Sequence, residues 1–197
     1  MASQGPNSPG TIVNDSTVGT RDWNSPSEAA TSDDVYATQD PLVTTVSRYL
    51  KATNFGFSSF TGTVTGIKVE VERHADADGG GDHTVDNSVR LVIGGNPTGD
   101  NKADVATHWP VGGPADAYAV YGGEGDTWGL PESTLIVSSE FTDSNFGVAF
   151  ACETVIAAMN GSLVDHIRIT LYYVLPSGAV VSSTQSAFIL AMISQQG

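Results

Sequence analysis

Cysteine is almost missing from this chain: Cys152 is its only one in 197 residues. No internal disulfide can form, so a secreted framework held by bridges is excluded. Lysine is nearly as scarce, with only Lys51, Lys68 and Lys102. Eight basic residues face 22 acidic ones, giving a formal net charge of −14 and a pI near 4.3. A surface of that sign repels phosphate backbones and anionic headgroups, which excludes a nucleic-acid-lining role and argues against membrane attachment. No apolar run approaches the roughly 20 residues of a membrane-spanning helix. The opening "MASQGPNSPG" has neither a charged n-region nor an apolar h-region, so we expect no signal peptide. A protein of this kind working outside a cell would get there by another route, such as lysis. No segment carries a helix-length 3.6-residue pattern with caps.

What the chain does have is enough apolar residue for a core, 40%, and many turn formers, 22 of them glycine. These suit one globular domain with extensions. Cys152 lies in the apolar run "FGVAFACETVIAAM" and reads as a small buried hydrophobe, since nothing local supplies the base or positive niche of a reactive thiol. The acid excess has two readings. It suits a high-salt milieu, where repulsion is screened, and it equally suits plain solubility.

Residues 1–22 are polar, with Pro6 and Pro9, and read as an extended arm. Residues 23–175 read as a run of strands separated by turn clusters. In "TGIKVEVER" Ile67, Val69 and Val71 point one way and Lys68, Glu70 and Glu72 the other. In "VDHIRITLYYV" Ile167, Ile169, Leu171 and Tyr173 face in, while His166, Arg168, Thr170 and Tyr172 face out. "NFGF" (Asn54–Phe57) is expected to be a corner that offers both rings to the core. The strand Thr63–Arg73, the glycine-rich "HADADGGGDHTVDN" and the returning "SVRLVIGG" predict a hairpin-like pair. Further strands are expected near Tyr36, over Val46–Phe55, near Val105, over Tyr118–Tyr121 and after Phe146, where Gly147 suggests a bulge or corner. "STLIVSSEF" reads as a short strand or irregular turn, and "NGS" and "PSG" as turns. The sum is an all-β fold, an antiparallel β-sandwich of jelly-roll-like type. Residues 176–197 follow as a C-terminal strand or docking segment. Its seven apolar residues 187–193, "AFILAMI", would be sticky if exposed, so they belong in a core or in a subunit contact.

Signals for catalysis are weak. His74, His83, His108 and His166 show no zinc-type spacing, and neither a nucleophile elbow nor a phosphate loop is present. Glu70 and Glu72 share a strand face beside Lys68 that reads as solvated, unlike the pocket a glycosidase acid needs. No catalytic residue is nominated. Asp76, Asp78 and Asp82 in "HADADGGGDH" are the candidate metal ligands, with Ca²⁺ the fitting ion. Against them stand Gly80 and Asn87 where a calcium loop carries acids, and the same residues are the normal chemistry of a solvated hairpin tip. Trp109, Tyr118, Tyr121 and Trp128, with Trp23, are the candidate binding aromatics: they could stack on a sugar, or they could plug the ends of the sandwich.

A series of short motifs carries a resemblance. Trp23 and Pro26, "SDDVYAT" (32–38), "YL" (49–50), "NFGF" (54–57), "TGIKVEVER" (65–73), "VRLVIGG" (89–95), "YGGEGDTWGL" (121–130), "SNFGV" (144–148) and "VDHIRITLYY" (164–173) together resemble a β-sandwich domain of tailed-virus virion proteins, a domain also found in large surface proteins of bacteria. The resemblance covers about residues 20–175, and the order of the motifs carries it more than any one of them. It implies a non-enzymatic structural protein on the exterior of a tailed-virus particle, as a tail appendage or a head decoration or turret component. It further implies a symmetric homo-oligomer contacting other virion proteins, made in host cytoplasm and released by lysis. The polar arm before Trp23 and the apolar tail after Val174 depart from the pattern and are the expected docking contacts. With the acid excess, a salt-loving host is the accompanying expectation. The alternative function is a receptor-binding adhesin whose loop aromatics face a host surface glycan.

Overall fold

In a computed structural model, residues 1–76, 78–112, 117–156 and 161–176 are described. Eleven strands run in chain order: β1 Ala2–Asn7, β2 Thr11–Asp15, β3 Ala37–Gln39, β4 Thr45–Val46, β5 Tyr49–Thr53, β6 Thr63–Ala75, β7 His83–Ile93, β8 Asn96–Thr98, β9 Ala117–Gly123, β10 Gly147–Val155 and β11 Ser162–Val174. A 3-10 turn, Pro26–Ala29, and two short helices, α1 Glu132–Leu135 and α2 Ser138–Thr142, complete the set. The first sheet has the order β1-β11-β6-β9, with β3 also on β11. The second has the order β2-β5-β10-β7-β8, with β4 also on β10. All of these pairings are antiparallel. The two sheets pack together as an all-β sandwich, as the alternation in β6 and β11 requires.

The alternation falls as expected. Ile67, Val69 and Val71 from β6 and Ile167, Ile169 and Leu171 from β11 are fully buried between the sheets, in register as Val71↔Ile167, Val69↔Ile169 and Ile67↔Leu171. Opposite them lie Leu50 from β5, Val89 and Leu91 from β7, and Val148 and Phe150 from β10. Each such side chain contributes about 1.5–3 kcal/mol by leaving water. Cys152 sits in the same core, fully buried. The "NFGF" corner closes one end. Asn54 and Gly56 take positive φ, 61° and 65°, which turns Phe55 and Phe57 inward. Phe57 then meets Phe146 at 6.0 Å.

Five expectations need correction. Residues 1–22 are no arm: β1 pairs with β11 and β2 with β5, so this stretch supplies an edge strand to each sheet. Its polar composition fits edge strands, because their outer side meets water. The pair over Thr63–Ile93 is no hairpin either. β6 lies in the first sheet and β7 in the second, so the glycine-rich loop crosses between layers. β10 and β11 are divided between the sheets in the same way. "STLIVSSEF" forms α1 and α2 instead of a strand, burying Leu135 and Phe141. Val105 lies outside any strand and is exposed.

Gly147 marks no bulge: it pairs regularly with Thr53 and Val92, and a Cβ there would collide with the Ala52 carbonyl. The irregularity of this pairing falls instead opposite Ala151/Cys152, where the extra residue, Asn87, lies on β7. The apolar run 187–193, the "PSG" turn beyond Pro176 and the "NGS" turn before Gly161 lie outside the described residues.

Candidate functional site

In the glycine-rich loop Asp76 and Asp78 meet different partners. The Asp76 backbone N–H donates to the Gly161 carbonyl at 3.0 Å, and its carboxylate lies against Gly161. Asp78 turns the other way, to His108 Nδ1 at 2.8 Å. Asp82 is buried, and its backbone closes a tight turn with Gly79. Among the described residues, no group of three or more histidine, cysteine or acidic side chains is placed to share an ion. The tip holds instead a flat stack of His83 on His108, centroids 4.2 Å apart.

The candidate aromatics divide. Trp109, Tyr121 and Trp128 are buried at 1%, 5% and 0% exposure, so their faces are closed to a sugar. Each ring carries a polar handle that burial must satisfy, and each finds a partner. Trp128 Nε1 donates to the Ile67 carbonyl at 2.8 Å, in a space that Gly122 leaves open by having no Cβ. Trp109 Nε1 donates to Asp86 Oδ1 at 2.9 Å, and the Tyr121 hydroxyl donates to Asp86 Oδ2 at 2.8 Å. Arg73 completes the group, with Nη2 3.2 Å from Asp86 and its guanidinium 4.5 Å from the Trp109 ring centre. Burial and the neighbouring Asp86 carboxylate drive the Tyr121 phenol far above its ordinary range, although Arg73 opposes this. This network joins β6 and β9 of one sheet to β7 of the other, toward the end of the sandwich that carries the glycine-rich loop. It is an internal clasp. Trp23, 2% exposed, is likewise interior, donating from Nε1 to the Arg48 carbonyl.

Tyr118 is the exception. It stands on the outer face of the first sheet in a cross-strand row with Glu72 and His166. Its hydroxyl lies 2.8 Å from His166 Nδ1, and Ser8 Oγ lies 2.8 Å from His166 Nε2. A neutral imidazole donates at one nitrogen and accepts at the other, and two hydroxyl neighbours satisfy either tautomer. Burial lowers the His166 pKa, with the Arg168 charge adding to it and Glu72 opposing. Burial and a hydrogen bond to Glu72 raise that of Tyr118.

Glu70 and Glu72 are only 6% and 8% exposed, so this face is not the solvated one the alternation suggested. The Arg168 guanidinium lies 3.8 Å from the Tyr118 ring centre and donates twice to Glu70, at 3.1 and 3.2 Å. Lys68 adds a contact at 3.1 Å. Burial pushes the Glu70 carboxyl up, but these two cations outweigh it and hold it below the usual range. Long side chains laid flat across a sheet thus cover their acidic neighbours. Ser8, His166, Tyr118 and Glu72 tie four strands, or their ends, into one surface: β1, β11, β9 and β6.

A different feature lies where β11 ends. Val174 and Leu175, with Met1 and with Ile136 from the α1–α2 turn, are apolar and 38–71% exposed. Beside them Phe60 stacks on Tyr173 at 4.5 Å. Three grooves of about 370, 430 and 350 Å³ open here, and all three are lined by Leu175. Their side chains carry no charge, on a chain with 22 acidic residues. Sequence patterning singled out the tail beyond this point but missed the patch, because its residues come from β1, the 59–63 turn, α1 and β11. The adjacent Val174 and Leu175, past the last alternating pair, were the one local signal. On the opposite sheet a groove of about 340 Å³ is lined by Tyr49 and Arg90, whose guanidinium reaches the Gly99 carbonyl.

Comparison with known proteins adds no relative: no family model, curated protein or solved structure matches this chain.

Proposed function

We propose that this chain is a non-enzymatic structural protein on the exterior of a tailed-virus particle, assembling as a symmetric oligomer with other virion proteins. One observation carries the assembly: the exposed apolar residues Met1, Ile136, Val174 and Leu175 gather at the point where the chain continues toward the apolar run 187–193. Contiguous apolar surface on an acidic protein marks a contact site. The motif series from Trp23 to Tyr173 supports placement in a virion. The net charge of −14 supports an exterior position, away from packaged genome. With Trp109, Tyr121 and Trp128 buried, Tyr118 is the nominated aromatic left at the surface for the adhesin alternative.

The test is the native mass of the purified protein at low and high salt. A discrete closed oligomer at either salt is the expected result. A monomer under both conditions would remove the oligomer from this reading and leave a subunit that assembles only on its particle. Direct placement comes from gold-labelled antibody on intact particles, where absence of label overturns the virion assignment.

A further inference from the structure

We infer that the apolar end of the sandwich is the receiving site for the 187–193 run of a neighbouring copy, so that the oligomer is held by exchanged C-terminal segments. This rests on the assembly reading above and names the contact that makes it.

The patch and the run match in chemistry. Phe60, Tyr173, Val174, Leu175 and Ile136 present aromatic and aliphatic surface without charge, and "AFILAMI" offers the same kind of side chains. Three grooves side by side suit an extended segment, which sends alternate side chains to one face.

The spacing permits exchange. The chain leaves the sandwich at Pro176, already inside the patch. Residues 177–186 then intervene, "SGAVVSSTQS", mostly small and polar. Fully extended they span roughly 33–36 Å, enough to carry the run well clear of its own exit point. A neighbouring copy therefore lies within reach of the run, and the mixed crosslink below separates that docking from return to its own patch. Reciprocal exchange also closes: every copy gives one segment and receives one, as a symmetric assembly requires.

The experiment uses full-length chains with single substitutions. Ser59 lines one groove and Leu190 sits mid-run; the native Cys152 is fully buried and stays out of the reaction. Purified S59C and L190C proteins are mixed, allowed to exchange and oxidised. A covalent heterodimer on a non-reducing gel is expected. An S59C/L190C double variant that instead closes a bridge within one chain, with no heterodimer from the mixture, overturns exchange in favour of self-docking.

In parallel, L190D and L175D are each expected to lose the oligomer while keeping the wild-type melting transition, because Leu175 is already partly exposed. An oligomer that persists in L190D with no mixed crosslink overturns this inference alone and leaves the assembly reading standing on another contact. A wild-type monomer at every salt overturns both the exchange and the oligomer.

Discussion

Arg73 on β6 and Asp86 on β7 meet 3.2 Å apart across the space between the two sheets, with the Asp86 side chain fully buried. Trp109, Tyr121 and the Asp104 backbone N–H fill the remaining positions on the carboxylate. A buried pair with all its hydrogen bonds made is well tolerated, whereas half of one is not. D86N is therefore expected to destabilise the fold by about 3–5 kcal/mol, since it leaves the Arg73 charge unpaired in the core. Replacing both, as R73M/D86L, should not recover that loss, because Trp109 Nε1, the Tyr121 hydroxyl and the Asp104 N–H would be left without their acceptor. Urea unfolding followed by tryptophan fluorescence measures both. A D86N midpoint equal to wild type would mean that the clasp is not structural.

His166 gives the fold a pH dependence. Its folded pKa is depressed, so between that value and the ordinary one near 6.5 the unfolded chain binds more protons. The stability it contributes is complete above about pH 6.5 and declines as pH falls toward and past the folded value. The melting temperature is expected to drop as the pH falls below about 6.5, ahead of the loss of the carboxylate ion pairs. His166 neighbours Glu72, Arg168 and Tyr118, so H166Q is the control: it should flatten the curve in this window. An unchanged slope in H166Q would assign the effect to other groups.

Deleting Ala2–Asn7 is expected to harm the domain, in contrast to what removal of a loose arm would do. β11 pairs with β1 along Ala2–Asn7, and its main chain would be left as an open sheet edge. Ser8 also holds His166 from this end. The readout is soluble yield and the urea midpoint. An intact midpoint would mean that β1 merely rests on the sheet.

Cys152 should be inert to thiol reagents in the native state. Burial pushes its thiol up to about 11, although hydrogen bonds from Ser162, Ser47 and Thr154 oppose this. Only the thiolate reacts. Labelling by a disulfide reagent should be slower than in denaturant by more than about a thousandfold, the factor that roughly 4 kcal/mol of opening free energy imposes. Fast native labelling would show that the second sheet opens around β10.

The layered plan was legible because a half-buried strand must alternate. Ile67, Val69, Val71, Ile167, Ile169 and Leu171 all lie where that rule puts them. Partnership between strands was not legible, because alternation tells which face is buried and nothing about which sheet a strand joins. β6 and β7 are joined by a short, turn-rich connection, yet they occupy different layers. The first strands were missed because edge strands of polar residues look like loose chain.

The polar clusters escaped for a related reason. Asp86, Arg73, Trp109 and Tyr121 come from three strands and a loop, and no local pattern announces a carboxylate shared at that range. Glu70 and Glu72 alternate as exposed residues do, but Arg168, Tyr118 and His166 from neighbouring strands close over them.

Ala2 is the direct cross-strand partner of Tyr173. The path of the chain therefore starts and finishes the sandwich side by side, with Cα atoms separated by about 5 Å. A linker of a few residues could join Ala2 to Val174, and new ends could be opened in the Asp78–Gly81 turn at the far end. Fusion before Met1 would place cargo against the apolar patch and interfere with assembly. Cargo inserted at that distal turn would leave the patch free and point away from whatever surface the patch engages, making the turn the natural position for display.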